Sequence, residues 1–131
     1  MAIKNHVMTA HAPSTIEKIR KVASGDKLSR SQKTFGSTYR RLTYESHSPT
    51  VTRSGYRDFI HPVKDRMLTV RELACLQSFP VSWEFKGVRL DSYSSKRKIN
   101  MTQFGQVGNA VPPILAKVVA EMLTEQVFGS D

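Results

Sequence analysis

Residues 66–80 read Arg66-Met67-Leu68-Thr69-Val70-Arg71-Glu72-Leu73-Ala74-Cys75-Leu76-Gln77-Ser78-Phe79-Pro80. Thr69 followed three positions later by Glu72 is the pattern of a capping box, in which each side chain satisfies a free backbone N–H of the other residue. The helix it opens runs through Leu73, Leu76 and Gln77 and is stopped by Pro80, which has no N–H to give to a helical ladder. About 25 residues further on comes Gln106-Val107-Gly108-Asn109-Ala110-Val111-Pro112-Pro113. A helix is expected from Ser94 to Val107, with Ile99, Met101, Phe104 and Val107 facing a core and Gly108 supplying the left-handed residue that ends it. Pro112 and Pro113 then stand where a last helix begins, because a first-turn proline forfeits no hydrogen bond. Val111, Leu115, Val118, Val119, Met122 and Leu123 make that helix amphipathic. So large an apolar face has too little partner surface in its own chain, which points to a fragment or a subunit.

Upstream, Ser14-Thr15-Ile16-Glu17 reads as another capping box. Ile16, Ile19 and Val22 form the apolar stripe of a short helix that ends near Gly25. Residues 24–38 are rich in Ser, Lys, Arg and Gly and read as a solvated or ligand-facing loop. Thr50-Val51-Thr52 and Asp58-Phe59-Ile60 are strand-like, bracketed by Pro49 and Pro62, with Arg53-Ser54-Gly55-Tyr56-Arg57 as a basic turn between them. The expected fold is therefore α+β, with a small basic strand-containing part over 1–62 and a helical part over 63–131.

Composition narrows the function. The 131 residues are 39% hydrophobic and 24% charged, which is globular rather than disordered. No apolar run is long enough for a membrane helix, and residues 1–11 lack the apolar stretch and cleavage site of a secretory signal. Cys75, the single cysteine, excludes an internal disulfide and a multi-cysteine zinc site, and a reduced cytoplasmic setting is expected. His6, His11, His47 and His61 show no metal-ligand spacing. The net charge is +9, and residues 1–62 hold 11 Lys and Arg against 4 acids, while residues 63–131 hold 9 against 7. Such an imbalance suits a chain whose first half meets a polyanion and whose second half packs against protein.

The two quoted blocks, in this order and at this distance, closely resemble the last two conserved blocks of DNA (cytosine-5) methyltransferases. Tyr39-Arg40-Arg41-Leu42 and Ser48-Pro49-Thr50-Val51-Thr52 resemble the end of that family's target recognition domain. The resemblance covers residues 39–126 and extends more loosely back to Asn5. It implies that residues 1–62 are the C-terminal part of a target recognition domain. Residues 63–131 would be the two closing blocks with the helix that completes a Rossmann-like cofactor lobe. It implies DNA contacts from Arg40, Arg41 and Thr50, and from a second loop of Thr52, Arg53, Ser54, Gly55 and Tyr56. Asn109, Ala110 and Val111 fit the corner that closes over S-adenosylmethionine, although Ala110 stands where many members have Ser. Thr69, Arg71 and Glu72 are scaffold, with Arg71 tying its helix to the recognition part. Lys96-Arg97-Lys98 reads as a solvated helix face.

The family's cofactor-binding Gly-rich loop and its Pro-Cys nucleophile are missing from this sequence, and Cys75 follows Ala74, where the family usually has Arg in place of the cysteine. No catalytic residue is therefore assigned. Methyl transfer to carbon 5 requires the cytosine to leave the duplex and enter a closed pocket, built by the family from two lobes. The expectation is a DNA-recognising portion, active on double-stranded DNA only with a larger partner chain carrying the nucleophile. A natural second subunit and a piece of a longer chain both fit. The rival reading is a non-enzymatic, sequence-specific DNA-binding module derived from such an enzyme.

Overall fold

The computed structural model describes residues 3–28, 39–52, 57–89 and 101–129. Their elements, in chain order, are α1 (Pro13–Arg20), β1 (Arg40–Arg41), β2 (Phe59–Ile60), α2 (Val70–Leu76), α3 (Gln103–Asn109) and α4 (Pro113–Phe128). This is a small α+β arrangement. The strands β1 and β2 run parallel, with Arg40 opposite Phe59 and Arg41 opposite Ile60. Antiparallel bridges extend the pair on both sides, Lys27 to Arg40 and Ile60 to Met67.

The strand alternation creates two cores. On one face Leu42, Val51, Phe59 and Leu68 join Val70, Leu73 and Ala74 of α2, Phe104 and Val107 of α3, and Phe85. On the other face Ile60 and Met67 meet Ile19 and Val22 at the end of α1, with Tyr39 and Leu28 packed alongside. Adjacent residues of one short strand therefore serve different cores, and parity decides which.

Several expected boundaries shift. The helix α1 starts at Pro13, with Ala12 as an N-cap that contributes no side-chain bond. Proline is pre-organised for the first helical position, which places Ser14 inside the first turn, where a capping box with Glu17 does not form. The helix ends at Arg20, and Gly25 (φ 80°) makes the turn that leads back to the sheet, its N–H donating to Arg41 O. Thr50-Val51-Thr52 is not a strand; β1 lies instead at Arg40–Arg41. The helix α2 stops at Leu76, before Pro80. The helix α3 starts only at Gln103, capped by the Thr102 hydroxyl, which accepts from Gly105 N. Gly108 lies within α3 rather than ending it, and the C-cap is extended Ala110. Ser94 to Asn100, including Lys96-Arg97-Lys98, falls outside the described residues.

The N-terminal segment crosses the boundary expected at 62/63. Its side of the chain is held by Arg71 N to Asn5 O, Arg71 Nε to Lys4 O, Arg89 Nη1 to Thr9 Oγ1 and Met67 N to His11 Nε2. Asn5 itself adopts a positive φ of 60° and exchanges two bonds with the Phe85 backbone, Nδ2 to the carbonyl and Phe85 N to Oδ1.

The helix α4 follows Pro112 and begins with Pro113, as a helix entered through prolines should. None of its residues is buried. Lys117, Glu121, Thr124 and Glu125 occupy one narrow arc, and apolar side chains fill most of the remainder.

Candidate functional site

The residues expected at DNA do not stay together. Arg40, half-buried in β1, donates its backbone N–H to Asp58 O, and Thr52 Oγ1 donates to Asp58 Oδ2 at 2.5 Å. Asp58 therefore ties the Arg40 backbone and the Thr52 side chain to the residue that precedes β2. Thr50 is exposed on the approach to it. Arg53, Ser54, Gly55 and Tyr56 lie outside the described residues.

Arg41 is a correction. Its side chain points to the opposite face, toward α1, and the residue is only 7% exposed. The guanidinium has five N–H donors, and every one is engaged. Nε donates to Val22 O at 2.8 Å, Nη1 to His61 O and Lys64 O at 3.1 and 3.3 Å, and Nη2 to Ile19 O and Asp65 Oδ1, both at 2.9 Å. Arg41 thus clamps the end of α1 to the turn over 61–66 and has no donor left for a base or a phosphate. The hydrogen bond from Arg41 holds the Asp65 carboxyl below its usual range, with Arg20 as a second partner.

Beside this clamp stands a charged cluster that the sequence did not announce. Thr69 caps α2 by accepting from Glu72 N, and Glu72 Oε2 accepts from Thr69 N at 2.8 Å. Glu72 also receives a bidentate pair from Arg66, Nη1 at 2.8 Å and Nη2 at 2.7 Å. Burial pushes the Glu72 carboxyl up, yet the Arg66 pair, the Thr69 N–H and His61 outweigh it and hold the group at about 2. The hydrogen bond to Glu72 in turn raises Arg66. His61 Nδ1 accepts from the Val63 and Lys64 N–H groups, and His11 Nε2 accepts from Met67 N, each at 3.2 Å. Burial, then the Arg66 charge, lowers both histidines. His6 Nδ1 meets Thr69 Oγ1 at 3.0 Å.

Arg71 is buried and bonds Lys4 O, Pro80 O and Trp83 O. It anchors the N-terminal segment and the loop after α2. The bonds to Lys4 O and Asn5 O join α2 to residues 1–62, as expected of Arg71.

The second candidate region is the bend between α3 and α4. Asn109 is exposed, Ala110 is half-buried, and Val111 is 64% exposed. The bend therefore opens outward rather than into the chain's own core. Phe104 and Val107 anchor α3 beneath it in the core that also holds Phe59 and Leu42. One core thus supports both Arg40's side of the sheet and this bend. The small Ala110 side chain at this exposed bend leaves room for close approach by a ligand, although Pro112 and Pro113 offer no N–H and Ile114 N is already bonded to Ser78 Oγ. Gln77 and Ser78, which flank the bend, and Asp58 carried no distinctive motif; only proximity in space marks them.

The family model for C-5 cytosine-specific DNA methylase matches residues 2–125. The chain is 75% identical over 126 residues to the type II methyltransferase M.AquIB of Picosynechococcus sp., an overlap of 96% of this chain and 91% of that protein. It is 40% identical over 92 residues to the type II methyltransferase M.AgeI of Thalassovita gelatinovora, covering 68% of this chain but 19% of the relative. With the type II methyltransferase M1.HphI of Haemophilus parahaemolyticus it shares 38% identity over 124 residues, 91% of this chain and 30% of the relative. The chain thus spans nearly all of one relative and less than a third of the other two.

Proposed function

From the premise that the chain belongs to the C-5 cytosine-specific DNA methylase family, we propose that it is the target recognition and lobe-completing portion of a DNA (cytosine-5) methyltransferase. It works on double-stranded DNA with a partner chain that carries the nucleophile. The full activity is methyl transfer to carbon 5 of a cytosine flipped out of the duplex. S-adenosylmethionine supplies the methyl group when bound.

Three observations support the reading. Cys75, the single cysteine, is preceded by Ala74, so no Pro-Cys nucleophile is present in these residues. The chain matches only 19% and 30% of two longer relatives, while a relative of nearly its own length also bears the methyltransferase name. The observation that carries the proposal is α4: Ile114, Leu115, Val118, Val119, Met122 and Leu123 are all exposed. A helix this apolar is stable in water only when another surface covers it.

Within this reading, residues 1–62 contribute to DNA recognition. Arg40, Thr50, Thr52, Arg53, Ser54 and Tyr56 are the DNA-contacting set, without Arg41. A guanidinium such as that of Arg40 reads guanine or bridges phosphates. Residues 63–131 dock on the partner through α4 and present Asn109, Ala110 and Val111 to the cofactor. The open bend and the small Ala110 side chain fit one edge of such a site.

The test mixes this chain with the large chain carrying a Pro-Cys block, sought in the reading frame beside its gene, together with labelled S-adenosylmethionine and duplex DNA. Methylation in the mixture and in neither chain alone is the expected result. Tight sequence-specific duplex binding by this chain, with no methylation in any mixture, would instead establish a non-enzymatic DNA-binding module.

A further inference from the structure

The C-terminal end of α2 has an uncommon residue in a demanding position. Ser78 N donates to Cys75 O at 3.0 Å and Phe79 N to Ala74 O at 2.9 Å. This pair of bonds is a Schellman closure, with Ser78 at the position that needs a left-handed backbone. Its φ is 61°. Glycine takes that conformation freely, whereas a residue with a Cβ is strained there. A strained side chain that persists points to a use for that side chain.

The use is visible at the bend. Ser78 Oγ accepts from Ile114 N at 3.2 Å, one of the first N–H groups of α4, which has no side-chain cap of its own. The residue before it acts on the other flank. Gln77 Nε2 donates to Val107 O at 3.3 Å. That carbonyl belongs to the last turn of α3 and, among the described residues, otherwise receives the long 3.4 Å bond from Ala110 N. Helix ends leave such groups unpaired. Two consecutive residues just past the C-terminal end of α2 therefore bracket Gly108 to Pro113, Gln77 bonding α3 and Ser78 bonding α4.

We propose that Gln77 and Ser78 are positioning residues for the cofactor edge, setting the separation and angle at which α3 and α4 present Asn109, Ala110 and Val111. This deepens the proposed function and rests on it. Neither residue touches the cofactor; each acts through a helix terminus. The Ser78 hydroxyl explains why a strained serine stands in a glycine position.

The test uses the assembled two-chain enzyme with Gln77→Met, which keeps the side chain's length and removes its donor, and Ser78→Gly, which relieves the backbone and removes the hydroxyl. Each variant should raise KM for S-adenosylmethionine roughly three- to tenfold, the loss of one modest hydrogen bond. KM for DNA and kcat at saturation should stay within about twofold of the parent. Ser78→Gly should melt no lower than the parent, which separates positioning from fold stability. In the free chain, Ser78→Gly should speed hydrogen exchange at the Ile114 amide while the Arg40 and Leu42 amides keep their protection. An unchanged cofactor KM in both variants, or equal rises for cofactor and DNA, overturns the proposal. Unaltered Ile114 exchange overturns it too. A parent mixture that never methylates DNA overturns the function itself and the positioning role with it, while Ile114 exchange still decides whether the hydroxyl holds α4.

Discussion

Arg40 and Arg41 are adjacent and chemically identical, yet their strand partners Phe59 and Ile60 face different cores. Strand parity sends Arg41 to the α1 face, where five acceptors enclose its guanidinium, and leaves Arg40 on the face of its strand partner Phe59. Arg41→Ala should destabilise the chain by about 3 kcal/mol or more, since it strips the partner from several buried carbonyls at once. Arg41→Lys keeps the charge but loses the fork, and should also lower the urea midpoint while leaving the salt dependence of duplex binding intact. Arg40→Ala should do the reverse, reducing the salt slope by about one with little change in stability. A reduced slope for Arg41→Lys would return Arg41 to the DNA surface. Glu72 gives the pH dependence its sign. Its carboxyl sits at about 2 in the native state against an ordinary 4.5, so its contribution is whole above about pH 4.5 and is lost as the pH falls toward 2. The depressed His11 and His61 act higher up: their contribution is whole above 6.5 and fades as the pH falls through their lowered native values. Urea unfolding across this range should show both declines, and Glu72→Gln should flatten only the lower one.

Helix ends decided more than helix interiors. Thr69-Val70-Arg71-Glu72 was legible because a capping box is a local pattern whose partners are three residues apart. The same pattern at Ser14-Thr15-Ile16-Glu17 misleads, since Pro13 claims the first helical position and moves Ser14 inside. In α3 the apolar spacing was visible, but the start at Thr102 and the helical Gly108 were not. The Gln103 and Gln106 side chains reach Gly87 O and Lys86 O, contacts made by the loop rather than by neighbours in sequence. The two threonine caps should differ in weight. Thr102→Ala should cost about 1 kcal/mol as a simple cap. Thr69→Ala should cost up to about 2 kcal/mol, because Oγ1 also meets His6. Equal losses in paired urea titrations would show that the His6 contact adds nothing.

Across the whole molecule, an interior built from two cores contrasts with a last helix that joins neither. Phe59 and Ile60 lock the sheet to both cores, so substitutions there should unfold the chain. Substitutions in α4 should not. Leu115→Glu combined with Met122→Glu should leave stability within about 0.5 kcal/mol, the ordinary range for exposed sites. The same pair should abolish assembly with the partner chain and any methylation that depends on it. A large fall in the melting temperature of the free chain would mean that α4 packs on its own body, and would remove the surface on which the proposed function depends.

The sequence by itself determined the family, the order of the blocks and the apolar character of the last helix, because these reside in residue types at short, regular spacings. It also carried the basic bias of the first half, which is a matter of counting. Only the tertiary structure decided which arginine is buried, which residues bond the helices on either side of Asn109, and that the N-terminal segment is hydrogen-bonded to the helical half. Those outcomes depend on strand parity and on contacts across tens of residues, such as Gln77 to Val107 and Asn5 to Phe85. A hydrogen bond is indifferent to distance along the chain, so no local pattern announces it.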